Sequence, residues 1–313
     1  MLFNGSCNTI ETKKIIKLGH GLDTSHPVHK AMEFMAEDLE KRSKGTMSIR
    51  IYPNQQLGTE RQTLELLQIG SLGMTKVSAA IMENFSPNMK VFGLPFLFRD
   101  KAHTFQVLDG EIGKELLDGS QKYWLKGLGY YDSGSRSFYT KDKPVETPAD
   151  LKGLKIRVME SVTAMNMVNS LGGSPTPISW GELYTSLQQG VVDGAENNPP
   201  SFYLSRHYEV CKYYSLDEHT SVPDVLVMGT HLWEELNEQQ QKWVQASVNA
   251  SVVFQRKLWA KAEKEALEEV KKAGVTVTKP DKTKFQDKVL NMYEDYKDNK
   301  EIYSLIQRIQ NVN

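Results

Sequence analysis

The chain has 313 residues, with 38 basic against 39 acidic side chains and a formal charge of -1; it is long enough for two domains of ordinary size and lacks the basic excess of a nucleic-acid binder. Its longest apolar runs, such as residues 91–98, fall far short of the roughly 20 residues that a membrane-spanning helix needs. The two cysteines, Cys7 and Cys211, imply no disulfide framework. Cys211, beside an aromatic run, reads as a small core residue. Cys7, after Gly5 and Ser6, reads either as the lipidated first residue of a mature secreted protein or as an untidy terminus.

In chain order, residues 14–19 (KIIKLG) read as a first strand, followed by a loop through His20 and His26. A helix follows from Pro27, since proline suits the first helical position; Val28, Ala31, Met32, Met35 and Leu39 recur at helical spacing, Gly45 stops it, and Ser25 is its expected N-cap. Met47, Ile49 and Ile51 alternate as a second strand, which makes a βαβ unit with parallel pairing. The turn 53–58 leads into a helix from Thr59 with Leu64 and Leu67 inward, and residues 74–79 form another short strand. Residues 91–98 carry a proline and read as an irregular crossing. Helical patterns occupy 103–108 and 113–125; strand character returns at 127–132 and 137–140, with Arg136 between them.

The stretch 149–198 holds the densest functional signal. KIRV at 155–158 alternates, so Arg157 leaves the opposite face from Ile156 and Val158. Its forked guanidinium matches a carboxylate bidentately; an internal salt bridge is the alternative. Ser179 and Glu182 have the spacing of a capping box, opening a helix with Leu183 and Leu187 on its apolar side. Residues 191–198 (VVDGAENN) read as a buried strand that runs out into polar groups at its carboxyl end, where open α/β sheets bind ligands. Residues 208–216 and 222–228 are strand-like, and Thr230 is the expected cap of a short helix. Asn237 opens a helical pattern reaching Ala273, about 55 Å at 1.5 Å per residue, long enough to bridge two domains. A strand at 275–278 and two helical segments complete the chain.

The run DLKGLKIRV (150–158), the block PTPISWGELYTSLQQGVVDGAEN (175–197), YPNQQLG from Tyr52 and LPFLF from Leu94 together resemble the solute-binding proteins of tripartite ATP-independent periplasmic (TRAP) transporters, the DctP family. The resemblance runs from about Lys14 to the C-terminal helices. It implies an α/β, two-lobed periplasmic-binding-protein-like fold with a mainly parallel sheet in each lobe, a cleft between the lobes and a long bridging helix. Lobe one would take 12–134 plus 224–262, and lobe two 135–223 plus 263–313. It also implies Arg157 as the main carboxylate partner, Arg136 as a second arginine, Asn197 at the pocket, and Glu60 as an acid reaching ligand polar groups. Glu60 is otherwise an ordinary acid in the first turn of a helix. Where sialic acid binders of the family have a glutamate and an asparagine, this chain has Ser78 and Gly21, which argues against sialic acid.

Among the remaining candidates, His20 and His26 are read as ligand hydrogen-bonding groups or plain loop residues, and Asn198 as a further polar contact. Trp180 and Tyr184 would pack either a sugar face or the core. Lys76 is the one cation beyond the two arginines that could take a second carboxylate. His20, Asp23, His26 and His29 cluster in sequence, yet the resemblance supplies no metal, and no cofactor is expected. No nucleophile elbow, Walker loop, HExxH or CxxC pair occurs, so a binding protein is favoured over an enzyme acting on a sugar acid. The expectation is therefore a periplasmic monomer that captures an organic acid and delivers it to TRAP membrane permease subunits. A hexuronate, glucuronate or galacturonate, is the expected ligand, with a C4-dicarboxylate or branched organic acid as the alternative.

Overall fold

The computed structural model describes residues 13–312; Cys7 lies outside them. Its strands are β1 (Lys14–Gly19), β2 (Met47–Tyr52), β3 (Met74–Ser78), β4 (Leu125–Tyr131), β5 (Arg136–Thr140), β6 (Lys155–Val158), β7 (Ser174–Pro177), β8 (Gly194–Asn197), β9 (Tyr213–Thr220), β10 (Asp224–Gly229) and β11 (Thr276–Thr278). They form two sheets, a five-stranded one in the order β2-β1-β3-β10-β4 and a six-stranded one in the order β11-β9-β5-β8-β6-β7. The expected βαβ unit opens the first sheet: β1 and β2 pair in parallel, and the helix Pro27–Arg42 between them buries Val28, Ala31, Met32, Met35 and Leu39.

Each sheet is mainly parallel, as expected, with one strand reversed. β5 runs against both its neighbours, β8 and β9, and β10 runs against β3 and β4. These are the first strands after the chain crosses from one lobe to the other and back. A strand entering a lobe from the cleft side must oppose strands whose carboxyl ends point toward the cleft, so the crossings themselves dictate the antiparallel pairs.

The long helix is Glu238–Lys272, 35 residues or about 52 Å, and Asn237 caps it in a reciprocal box with Gln240. Val244, Val248 and Trp259 join the core that Leu18, Met32 and Tyr131 form in lobe one. Val270, further along the same helix, joins Tyr139, Leu187 and Tyr214 of lobe two. One rigid element thus belongs to both cores. The C-terminus divides otherwise than expected: Phe285, Val289 and Met292 pack with lobe two, whereas Ile302, Leu305, Ile306 and Ile309 of the final helix Lys300–Gln310 pack with Leu97, Val107 and Leu108 of lobe one.

Two cap expectations fail for local geometric reasons, and a third is met in position only. His26, not Ser25, caps the first helix, its Nδ1 accepting from Val28 N, while the Ser25 amide turns back to Asp23. Ser179 does occupy the cap position, of a 3-10 turn Trp180–Glu182 that precedes the helix Leu183–Gln188, but its hydroxyl bonds the Glu182 side chain rather than a backbone amide. Gly229, not Thr230, occupies the cap position of Thr230–Glu235. The strand expected over 191–198 is shorter, and residues 208–216 begin with a 3-10 turn before β9. No helix among the described residues is long and apolar enough to cross a membrane.

Candidate functional site

The two lobes face each other across a cavity lined by side chains of both. Its walls come from the carboxyl ends of strands in both sheets. Lobe one supplies Gly21, Leu22 and His26 after β1, Gln55, Thr59 and Glu60 after β2, and Ser78 at the end of β3; lobe two supplies Met159 after β6, Ile178 and Trp180 after β7, and Asn197 and Asn198 at the end of β8. Side chains at these ends are free of the ladder and point past the sheet edge, which is why open α/β sheets bind there. Of the ten residues expected at the site, Arg157, Arg136, Asn197, Glu60, His26, Lys76, Ser78, Trp180 and Asn198 line the cavity.

His20 does not. Its Nδ1 accepts from Leu22 N at 3.1 Å, so Nε2 carries the proton and donates to His29 Nδ1 at 2.9 Å. That bond uses the atoms a shared metal would require, and among the described residues no group of three metal-ligating side chains forms. His26 faces the cleft with Nε2 toward Ser201 of lobe two at 3.5 Å. Burial, reinforced by the Lys76 charge, pushes its pKa down to about 3 and that of His20 to about 2, so both are neutral imidazoles.

Arg157 stands on β6 between β7 and β8 and is buried. Its Nε donates to Ile178 O at 2.8 Å, which fixes the plane of the guanidinium, and the Trp180 ring lies 5.9 Å from its Cζ. Nη1 is buried without a hydrogen-bond partner among the described residues. Burial, with Arg136 nearby, lowers its pKa from the ordinary arginine value, yet a guanidinium keeps its charge. A buried cation with an unused donor is costly on its own, and the cavity places it where a ligand anion would relieve that cost.

Arg136 is already engaged. It donates to Glu196 through Nε and Nη2, to Glu196 O at 2.7 Å and to Asn197 Oδ1 at 2.9 Å, four of the five N–H groups a guanidinium has. Behind it His219 bridges Glu196 and Asp217. Burial acts against both charges, but Arg136 and His219 hold the Glu196 carboxyl at about 2, and Asp217 with Glu196 pushes His219 up to about 9. Lys76 is engaged as well, 3.0 Å from Glu60 and 3.2 Å from Asp224. Those two carboxylates overcome its burial and keep it protonated.

The residue reading missed Asp224, Gln55 and Trp259, all on the cavity wall. Gln55 sits in left-handed backbone with φ 57 and reaches Gly181 across the cleft, where an added Cβ would come 2.3 Å from its Oε1. Gln55 Nε2 and Trp259 Nε1 are, like Arg157 Nη1, buried donors without partners among the described residues. A cavity edged by three unspent N–H donors is built to receive acceptor oxygens. Cys211 is a buried free thiol in the lobe-two core, as its surroundings in the sequence suggest.

Residues 18–299 match the family model described as bacterial extracellular solute-binding protein, family 7. A relative from Salmonella typhimurium, described as the uncharacterized protein YiiZ, is 40% identical over 298 residues, covering 95% of this chain and 91% of the relative. A TRAP periplasmic solute binding protein from Xanthobacter autotrophicus, solved with bound β-D-galacturonate, is 38% identical with a TM-score of 0.93, covering 95% of this chain and 100% of that one. Another from Chromohalobacter salexigens, with bound D-glucuronate, is 34% identical with a TM-score of 0.93 over 95% of this chain and 100% of that one.

Proposed function

The chain belongs to family 7 of the bacterial extracellular solute-binding proteins, the binding components of TRAP transporters, and from that membership we propose that it captures a hexuronate, glucuronate or galacturonate, and delivers it to a TRAP membrane permease. The observation that carries the ligand class is the inventory of cations around the cavity. Arg136 and Lys76 are occupied by Glu196, Glu60 and Asp224, which leaves Arg157, among the cations lining the cavity, as the one with a buried, unpartnered nitrogen. One free guanidinium suits one carboxylate. The remaining wall, with His26, Glu60, Ser78, Asn197 and Asn198, supplies acceptors and donors for hydroxyls. Galacturonate and glucuronate in two similar structures support the same class. A C4-dicarboxylate would need a second free cation, and the occupied state of Lys76 counts against it.

Capture proceeds by hinge closure. The ligand carboxylate docks on Arg157 of lobe two, groups of lobe one bond its hydroxyls, and these extra contacts favour the closed state. Residence in the periplasm follows the family's extracytoplasmic role, and a monomeric state and tethering through a lipid on Cys7 belong to the same proposal; mass spectrometry of the mature protein from its native host tests the tether. For the ligand, a thermal-shift screen over uronates, aldonates, sialic acid and dicarboxylates is decisive, because a ligand well above its dissociation constant stabilises the fold by a few kcal/mol, on the order of 3 at a hundredfold excess. Uronates raise Tm if the reading holds. If dicarboxylates do so and uronates do not, the hexuronate is wrong while the family stands.

A further inference from the structure

We propose that Glu60 and Asp224, by sharing Lys76, form a filter that admits a hydroxyl-bearing end of the ligand and rejects a second carboxylate, so that the protein takes uronates and excludes the corresponding aldarates, which are acids at both ends. The filter rests on the uronate reading above, and it adds a residue, Asp224, that neither the motifs nor the family match assigns.

The sheet builds the triad. On the antiparallel pair β3 and β10, Asp224 lies opposite Ser78 and Leu226 opposite Lys76; residues two apart on a strand share a face, so Asp224 is the diagonal neighbour of Lys76, within reach of a long side chain. Lys76 Nζ lies 3.2 Å from Asp224 Oδ1 and 3.0 Å from Glu60 Oε1, with its side chain only 4% exposed. Glu60 opens the helix Glu60–Gln68, and its other oxygen accepts from Ser78 N at 3.2 Å. Backbone register therefore sets Lys76 beside Asp224, and the Ser78 amide holds Glu60 against them, before any ligand arrives.

One ammonium against two carboxylates leaves this wall net negative, facing the Arg157 wall across one cavity. Burial, with Lys76 opposing and Glu60 adding to it, raises the Asp224 pKa, as expected for two acids sharing one cation. An ammonium has three donors, and Lys76 spends two of them here. A hydroxyl matches what is left, since it accepts from the third Lys76 proton and donates to a carboxylate. A carboxylate can only accept, and it would meet Glu60 and Asp224 as like charges. Arg61, the other cation on this wall, is exposed and lies 3.2 Å from Glu65.

The test is calorimetric titration of the wild type, Asp224→Asn and Glu60→Gln with D-galacturonate and galactarate, and with D-glucuronate and glucarate. Wild type is expected to bind each aldarate at least ~100-fold more weakly than its uronate, the scale on which like-charge contact discriminates. Each variant keeps its side-chain shape, removes one negative charge and is expected to narrow that gap at least ~10-fold through a gain in aldarate affinity. Circular dichroism identifies a variant that misfolds, in which case the other carries the test. Aldarates binding wild type within about threefold of uronates, or a gap unchanged in the folded variants, would overturn the filter. No uronate binding by wild type removes the functional reading and the filter with it, whereas equal binding of uronate and aldarate removes the filter alone.

Discussion

Arg157→Lys separates charge from geometry at the proposed carboxylate site. The substitution keeps one positive charge and loses two things visible in the structure. The first is the Nε bond to Ile178 O at 2.8 Å; a part-buried carbonyl left without its donor costs at most about 1–3 kcal/mol. The second is one of the two parallel N–H bonds a guanidinium offers a carboxylate, about 1.5–3 kcal/mol for a charge-assisted bond. Part of the first loss falls on the free protein as well, so the net loss of binding is on the order of 2 to 5 kcal/mol, or ~30-fold to several thousandfold in Kd. The free protein responds in the opposite sense to Arg157→Met: a buried guanidinium with an unpartnered Nη1 gives way to an apolar side chain, which is expected to hold or raise Tm while abolishing binding. Calorimetry with a uronate measures the first effect and thermal unfolding without ligand the second. An Arg157→Lys protein that binds within about threefold of wild type would show that the carboxylate is held elsewhere.

Stability should fall on both sides of neutrality. His219, raised to about 9 from an ordinary 6.5, contributes about 3 kcal/mol that is fully present below pH 6.5 and lost as pH rises through 9; urea unfolding of His219→Gln should lack that alkaline decline. His20 and His26, lowered to about 2 and 3, act the other way, their contribution present above pH 6.5 and lost as pH falls toward 3, so the urea midpoint should drop across that window. Gly134 sits at the crossing between lobes with φ +58, and a Cβ there would come 2.3 Å from Glu263 Oε1 and 3.0 Å from Trp259 Nε1. Gly134→Ala is expected to cost about 1–3 kcal/mol, read as a lower Tm by calorimetry; an unchanged Tm would show that the crossing relaxes freely. Small-angle scattering should report a smaller radius of gyration on saturation with a uronate, and an unchanged radius would remove hinge closure.

Periodicity located most strands and helices because it reflects burial, which the lobes enforce locally: β1, β2, the helix after Thr59 and the long helix after Asn237 all stand where their patterns put them. Strand direction is invisible to periodicity, and so the antiparallel roles of β5 and β10 emerge only from where the chain crosses the cleft. β7 carries Pro175 and Pro177 and is not legible as a strand from its pattern; it survives because it lies at the sheet edge, where a missing N–H goes unnoticed. The final helix shows an apolar face but nothing that says which lobe covers it. At the candidate site, the strand position of Arg157 is legible from the alternation of KIRV, while its place on the cavity wall with Nη1 unpartnered is a matter of the fold. That Lys76 is spent, and that Asp224 helps to spend it, depends on residues 148 positions apart in the chain brought into register by a sheet.

The most direct measurement is a crystal structure of the protein with D-galacturonate or D-glucuronate bound. The ligand carboxylate is expected within about 3 Å of the Arg157 Nη nitrogens, the distance of a charge-assisted hydrogen bond, with its hydroxyls against Glu60, Lys76 and Asp224. A carboxylate seated on Lys76 with Glu60 or Asp224 displaced, or a ligand outside this cavity, would contradict the account.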